Sequence, residues 1–147
     1  MNCLNKLSTL LLLFAFNISA DELIINLSGQ TKAGVLSLAI YDNAEAYDQS
    51  VKGEKRSEAG VFSGIESYIE LKDNHQFIIS LPEGMYAIAL FVDTNKNLKI
   101  DKNFLGIPKE QFGFSNNAMG KFSAPSFEQA KFLVKGSTLQ NIELKFL

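Results

Sequence analysis

A run of polar side chains follows the longest apolar stretch of the sequence, and its spacing is that of a cation-binding loop. Oxygen-bearing residues stand two apart at Asp93, Asn95, Asn97, Lys99 and Asp101. Ca²⁺ in proteins takes about six to eight oxygen ligands. Carboxylates, carboxamides and the backbone carbonyl of Lys99 at this spacing would supply the first half of such a shell. These five residues therefore form a predicted Ca²⁺ site, and no other cofactor is expected.

Two positions depart from an ideal Ca²⁺ loop. Leu98 stands where such loops turn sharply and carry Gly, so it would be strained at positive φ. Phe104 stands where a bidentate Glu is expected, and Glu110 is the candidate to replace it. With two carboxylates in the loop, the predicted affinity is weak, with a Kd of about 10⁻⁴ to 10⁻³ M. The competing interpretation is a connection whose Asp and Asn side chains bond to their own backbone.

Catalytic side chains are scarce outside this loop. His75 is the single histidine and is predicted to lie in a turn, and Cys3 is the single cysteine. These counts exclude a zinc site of the Cys₂His₂ or His₃ type, and the sequence has no Gly-x-Ser-x-Gly segment. We therefore predict a non-enzymatic protein, a binding or structural module of the cell envelope. The alternative is a hydrolase of the cell envelope that uses Asp93, Asp101 and Glu110 as its carboxylates.

The first twenty residues have the layout of a secretory signal peptide. Lys6 precedes an apolar run, and Ala20 offers a small residue at a cleavage site. An uncleaved N-terminal anchor is the alternative, although the run is short for a membrane span. We expect a signal peptide at 1–20, a β-sandwich domain at 21–147, and a periplasmic or secreted location.

The charge of the predicted mature chain limits its partners. Without Lys6 it has 13 Lys and Arg residues against 16 Asp and Glu residues, a formal net charge of −3. No basic stripe is present, which argues against a nucleic-acid partner. No second apolar run is long enough to cross a bilayer, so no membrane span is expected after signal cleavage. The expected partner is an unidentified protein or glycan.

Short strands surround the polar loop in the predicted secondary structure. Strand patterns lie at 23–27, 35–41, 67–72, 76–81, 85–93, 130–136 and 137–147. Helical turns are predicted after Asp42 or Asn43 and at 126–130, with Ser126 as a cap. Several short strands, few helices and no alternation of strand and helix indicate an all-β fold. We predict a single antiparallel β-sandwich with one long ordered loop.

The long loop is predicted to run from Asp93 to about Lys131. It contains the phenylalanines Phe104, Phe112, Phe114, Phe122 and Phe127. This apolar content argues against disorder, so we expect the loop to bury its phenylalanines against the sandwich. An exposed platform that stacks on a ligand is the alternative. The stretch Phe-Ser-Asn-Asn at 114–117 is expected to fix the loop through side-chain-to-backbone hydrogen bonds.

Two stretches resemble family 2141 of bacterial domains of unknown function. They are LPEGMYAIALFVDTNKNLKIDKNFLGIPKEQFGFSNN at 81–117 and GKFSAPSFEQAKF at 120–132. The most specific parts are Gly-Ile-Pro-Lys-Glu and Gly-Phe-Ser-Asn-Asn, in that order. The resemblance implies an exported domain with a transthyretin-like or immunoglobulin-like sandwich, and it implies no activity. Leu98, Val92 and the pair at 123–124 depart from the family pattern, which has Gly, His and Gly-Pro there.

Overall fold

The computed structural model describes residues 20–53 and 60–147, so the predicted signal peptide, apart from Ala20, lies outside the described residues. Strands dominate the described residues and form two sheets. The strands are β1 (Asp21–Ser28), β2 (Gly34–Tyr41), β3 (Ser63–Ile69), β4 (Asn74–Leu81), β5 (Gly84–Asp93), β6 (Phe112–Phe114), β7 (Phe132–Val134) and β8 (Ser137–Glu143). Two short helices, α1 (Ala44–Lys52) and α2 (Phe127–Ala130), and a 3₁₀ turn (Ser115–Asn117) complete the fold.

The smaller sheet has three strands in the order β4-β1-β8. Leu23, Ile25 and Leu27 alternate along β1 and are buried, as their period of two predicts. β1 pairs antiparallel with β4 but parallel with β8. The prediction of a wholly antiparallel arrangement is therefore wrong for this pair. A parallel pair needs a long connection, and nearly the whole domain lies between these two strands.

The larger sheet has the order β3-β2-β5-β6, and β7 pairs with the beginning of β5. β2 and β5 are its central strands, as their nearly unbroken apolar sequences predict. Leu38, Ile40 and Ile88 belong to the main core between the two sheets. The opposite face carries a second apolar group, which we call the outer cluster. Its buried members are Ala39, Tyr41, Tyr47, Ala87, Phe91, Phe112, Phe114, Phe127 and Ala130.

β3 and β4 follow one another in the chain but lie in different sheets. β3 pairs with β2, and β4 pairs with β1. β4 is confirmed, and β3 both begins and ends earlier than the strand predicted at 67–72. The residues between them therefore lead the chain from one sheet to the other, and His75, predicted to lie in a turn, belongs to β4.

The long segment after β5 contains a short strand that the sequence pattern missed. This strand, β6, has the sequence Phe-Gly-Phe and pairs antiparallel with β5. Three residues are too few to show a period of two. Its central residue is Gly113, where a Cβ atom would lie 2.7 Å from Cγ2 of Ile142. Only glycine therefore lets β6 and β8 approach this closely.

Helix α1 closes one side of the outer cluster and begins where the sequence predicts. Oδ1 of Asn43 accepts the N–H of Ala46 at 3.0 Å, as expected of an N-cap. The ring of Tyr47 packs edge-on against Tyr41 and Phe127, with ring centroids 5.7 and 5.9 Å apart. The helix extends beyond the single turn predicted because this aromatic contact buries its inner face.

Candidate functional site: a polar loop and an apolar cavity

The predicted cation loop folds around the carboxylate of Asp93, which is 1 % exposed. Its Oδ1 accepts the N–H groups of Lys96 at 2.7 Å and Asn97 at 3.3 Å. Its Oδ2 accepts the N–H of Leu98 at 2.7 Å. Three backbone donors thus stabilise the negative charge at the end of β5. The same bonds fix the path of the loop.

Leu98 has a φ of 63°, and Lys96 has a φ of 61°. This is the left-handed region predicted for the position where a cation loop carries Gly. The conformation costs an L-residue about 1–2 kcal/mol. The hydrogen bond from the Leu98 N–H to Asp93 offsets part of that cost. The chain therefore makes the sharp turn of a cation loop without a glycine.

The side chains of Asn95, Asn97 and Asp101 meet at one place and bond to each other. Their amide groups donate to the Asp101 carboxylate at 2.5 Å from Asn95 and 3.0 Å from Asn97. The bond from Asn97 is the main cause that holds the pKa of Asp101 below its usual value, with help from Asn95 and Lys99. The carbonyl oxygens of the two amides accept the N–H groups of Asn97 and Lys99. These contacts are those of the competing interpretation, a connection whose Asp and Asn side chains bond to their own backbone.

Glu110 folds back onto the loop, as proposed for the residue that would complete a cation shell. It is 4 % exposed. Its Oε1 accepts the N–H and the hydroxyl of Thr94 at 2.8 and 3.2 Å, and its Oε2 accepts the N–H of Asp101 at 3.1 Å. The N–H of Lys109 also donates to the carbonyl of Asp101 at 2.7 Å. Glu110 thereby joins the two ends of the loop.

The donor set around this loop fits a cation only after a local change. A cation beside Asp101 would have to displace the amide nitrogens of Asn95 and Asn97, which point at the carboxylate. Turning their oxygens inward would break the bonds that these oxygens accept from the backbone. No group of three or more His, Cys, Asp or Glu side chains in the described ranges has the geometry to hold a metal. The Ca²⁺ site stays a prediction, as does the hydrolase alternative.

The Phe-Ser-Asn-Asn stretch fixes the following part of the segment, as predicted. The buried hydroxyl of Ser115 donates to the carbonyl of Ala130 at 2.6 Å and accepts the N–H of Ile88 at 2.9 Å. Nδ2 of Asn116 donates to the carbonyls of Ala130 and Lys131 at 3.1 and 2.9 Å. These bonds attach β5 and the end of α2 to the turn after β6.

The five phenylalanines of the segment divide into two groups. Phe112, Phe114 and Phe127 are buried in the outer cluster. Phe104 and Phe122 are 95 % and 99 % exposed. The prediction that the segment buries its phenylalanines is confirmed for the first group and wrong for the second. Phe104 lies within a tight turn closed between residues 103 and 106, and such a turn directs side chains into solvent.

A cavity of about 350 Å³ opens on the outer face of the larger sheet. Ala89 and Phe91 of β5 form its floor together with Phe112 and Phe114 of β6. Ala89 pairs with Phe114 across the two strands, and Phe91 pairs with Phe112. The small side chain of Ala89 between larger aromatic neighbours leaves the space open.

The walls of the cavity come from three further parts of the chain. Residues 50–53 at the end of α1 form one side. Ile100 and Pro108 come from the chain that leaves and returns to the polar loop, and Met119 and Phe122 come from the segment after β6. Sequence reasoning missed the cavity because these parts are far apart in sequence. The five phenylalanines of the segment after Asp93 were the one feature of the sequence that indicated an apolar site.

One protein family matches most of this chain. A family model described as "Uncharacterized protein conserved in bacteria (DUF2141)" matches residues 25–142. The chain belongs to this family. The match runs from β1 into β8 and includes both the polar loop and the floor of the cavity, so it confirms the resemblance found in the sequence. Searches of curated proteins and of solved structures give no match to this DUF2141 chain.

Membrane insertion through a helix has no support in the described ranges. None of the helices within residues 20–53 and 60–147 has the length and apolar character needed to cross a bilayer.

Proposed function

We propose that this DUF2141 domain is a non-enzymatic binding module that takes a small, largely apolar ligand into the cavity on its outer face. The observation that supports the proposal is the cavity itself. Ligand pockets in proteins have volumes of about 300–1,000 Å³ and apolar, aromatic walls with few polar groups. The volume of about 350 Å³ and the phenylalanine floor fit this description. We place the module on a transthyretin-like or immunoglobulin-like sandwich in the periplasm or outside the cell.

The floor of the cavity consists of paired strands that need no ligand to form. β5 and β6 are hydrogen-bonded to each other, and β5 is also paired with β2. The hydroxyl of Tyr41 donates to Oγ of Ser50 at 2.6 Å and thereby ties the end of α1 to the sheet. A preformed pocket spares the ligand the entropic cost of ordering its walls.

The mouth of the cavity carries the most exposed aromatic side chain of the described chain. Phe122 lines the cavity and is nevertheless 99 % exposed. Burial of a phenylalanine ring stabilises a complex by about 1.5–3 kcal/mol. A ligand that covers this ring would gain much of that free energy, whereas the free protein leaves it in water.

The proposal is tested by tryptophan fluorescence, because the sequence contains no Trp. Phe122→Trp places a single fluorophore at the mouth of the cavity. Phe104→Trp is the matched control, because Phe104 is equally exposed but does not line the cavity. Titration with 1-octanol and octanoate should shift the emission of the first variant to shorter wavelength in a saturable manner and leave the second unchanged.

A cavity-filling substitution makes the test specific. Ala89→Leu adds three carbon atoms to the floor and should weaken binding of both octyl compounds by about tenfold or more, since it occupies their volume. Unchanged emission of the Phe122→Trp variant with both compounds would refute the proposal. Equal affinity with and without Ala89→Leu, compared in the Phe122→Trp background, would also refute it.

A second candidate function is weak Ca²⁺ binding at residues 93–101. The positive φ of Leu98 and the position of Glu110 against both ends of the loop favour it. For a Kd of about 10⁻³ M, 10 mM Ca²⁺ should stabilise the fold by about 1.4 kcal/mol. Thermal unfolding in Ca²⁺ and in chelator measures this effect, and Asp101→Asn should abolish it. Equal midpoints in the two conditions would refute the candidate.

A further inference from the structure

We infer that the ligand of the cavity is an amphipathic anion, an apolar body that carries one carboxylate or similar anionic group. The inference rests on the proposed binding function and specifies its ligand. It derives from the charged and polar side chains that line the cavity, which form a set of hydrogen-bond donors and positive charges.

The charged side chains that line the cavity within the described ranges are both lysines. Lys52 is the last residue of α1, and Lys102 follows the polar loop. No Asp or Glu of the described ranges lines the cavity. Lys52 is exposed and Lys102 is half-buried, and two cations at the edge of one apolar cavity attract an anion.

These two lysines differ from those that form ion pairs on the surface. Lys131, Lys135 and Lys145 each lie within 4.0 Å of a glutamate oxygen. The side chains of Lys52 and Lys102 have no such partner among the described residues. Among the residues of 20–53 and 60–147, no Asp or Glu oxygen therefore lies close enough to pair with either lysine.

A hydroxyl group adds a directed donor to the same site. Tyr41 donates its own proton to Oγ of Ser50 at 2.6 Å. Ser50 lines the cavity, and within the described ranges the printed partner of its hydroxyl is Tyr41, so a ligand oxygen in the cavity could accept the Ser50 hydrogen. The bond from Tyr41 polarises the Ser50 hydroxyl and makes it a better donor. Ser50 and Lys52 lie on the same wall, which is where an anionic group would bind.

The two kinds of lining explain why the ligand should be amphipathic. Phe91, Phe112 and Phe114 offer ring surface to an apolar body and no charge. A small hydrophilic anion would leave these rings exposed to water. A neutral hydrocarbon would leave the lysine charges without a partner. One molecule with both parts satisfies both surfaces.

Three ligands with the same chain and different head groups test the inference in the Phe122→Trp variant. They are octanoate, 1-octanol and octylammonium, titrated at low and high salt. Octanoate should bind about fivefold more tightly than 1-octanol at low salt, which is the upper range for a partly exposed charge pair. Octylammonium should bind most weakly. High salt should reduce the advantage of octanoate and leave 1-octanol unchanged.

Charge-removing variants locate the effect. Lys52→Gln combined with Lys102→Gln should reduce octanoate binding to the level of 1-octanol, without changing 1-octanol binding. Lys72→Gln, an exposed lysine between β3 and β4 that does not line the cavity, is the matched control and should change neither.

The outcomes separate this inference from the proposed function. Equal binding of all three ligands, or an octanoate affinity that the double variant does not change, would refute the inference and leave the binding module intact. No binding of any octyl ligand would refute the proposed function itself.

Discussion

The two halves of the segment after β5 are ordered by different interactions. In the polar half, residues 94–110, side chains such as Glu110 accept backbone N–H groups, and the phenylalanine of this half remains in solvent. In the apolar half, residues 111–130, three of the four phenylalanine rings are buried, Phe122 at the mouth of the cavity is exposed, and Ser115 secures the backbone. Residue type alone therefore does not decide burial. A connection can be fixed by carboxylate–backbone bonds just as by a core, and it can then leave a ring such as Phe104 exposed.

The largest expected effect is the loss of a ring from the apolar half. Phe112→Ala removes a side chain that is 4 % exposed and that packs against Phe114 with ring centroids 5.8 Å apart. Such truncations cost about 3–5 kcal/mol. Phe104→Ala in the polar half should change the free energy of unfolding by less than about 0.5 kcal/mol. Urea denaturation of both variants measures the difference. Similar losses in the free energy of unfolding would refute the proposed difference between the two halves.

The next effect concerns the acid that organises the polar half. Asp93→Ala leaves the N–H groups of Lys96, Asn97 and Leu98 without their acceptor. Hydrogen bonds to a charged group stabilise by about 1.5–3 kcal/mol, so a loss of that size is expected. Asp73→Ala is the control, because Asp73 is exposed and forms no hydrogen bond within the described ranges.

Hydrogen exchange tests whether the stability lost in the Asp93→Ala variant is lost within the loop at residues 96–98. The amides of residues 96–98 should exchange faster in the Asp93→Ala variant, and those of the main core should change only with global stability. Unchanged exchange in the loop would show that Asp93 does not organise the polar half.

Much of the fold follows from sequence periodicity. β1, β2 and β5 were predictable because alternation or an unbroken apolar run marks a strand with one or two buried faces. A cap at Asp42 or Asn43 and one at Ser126 were predictable because these side chains serve N-termini, and the structure has Asn43 and Ser126. β6 was not predictable, since its pairing with β5 comes from tertiary contacts rather than from a periodic pattern of apolar residues. The parallel pairing of β1 with β8 was hidden for the same reason.

The candidate site was predictable only where its residues are adjacent in the chain. The spacing of the polar residues indicated a loop that turns sharply at Leu98, and its φ of 63° agrees. The return of Glu110 to the loop was a hypothesis that the contacts with Thr94 and Asp101 support. The cavity depends on side chains that meet only after folding, so neither its volume nor the lysines at its walls could be derived from spacing.

Replacement of the strained leucine should stabilise the polar half modestly. Leu98→Gly removes a left-handed cost of about 1–2 kcal/mol and adds about 0.5–1 kcal/mol of chain entropy in the unfolded state. A net gain of about 0.5–1 kcal/mol is expected, because the Leu98 side chain is 55 % exposed and little burial is lost. Leu105→Gly is the matched control, an exposed leucine without a positive φ, and it should destabilise slightly. A loss of stability in both variants would contradict the strain argument.

The smallest effect is a dependence of the polar half on pH. Hydrogen bonds from Asn97 and Asn95 lower the pKa of Asp101 in the folded state from its ordinary value of 3.8, against a smaller opposing effect of burial. A lowered pKa means that the charged group stabilises the fold above pH 3.8. This contribution is lost as the pH falls through the lower folded-state value. Asp101→Asn lacks it, so the difference in free energy of unfolding between wild type and variant should be larger at pH 6 than at about pH 3. Urea denaturation at the two pH values measures this difference, and a gap that does not change with pH would show that the Asn97 and Asn95 bonds do not favour the charged form.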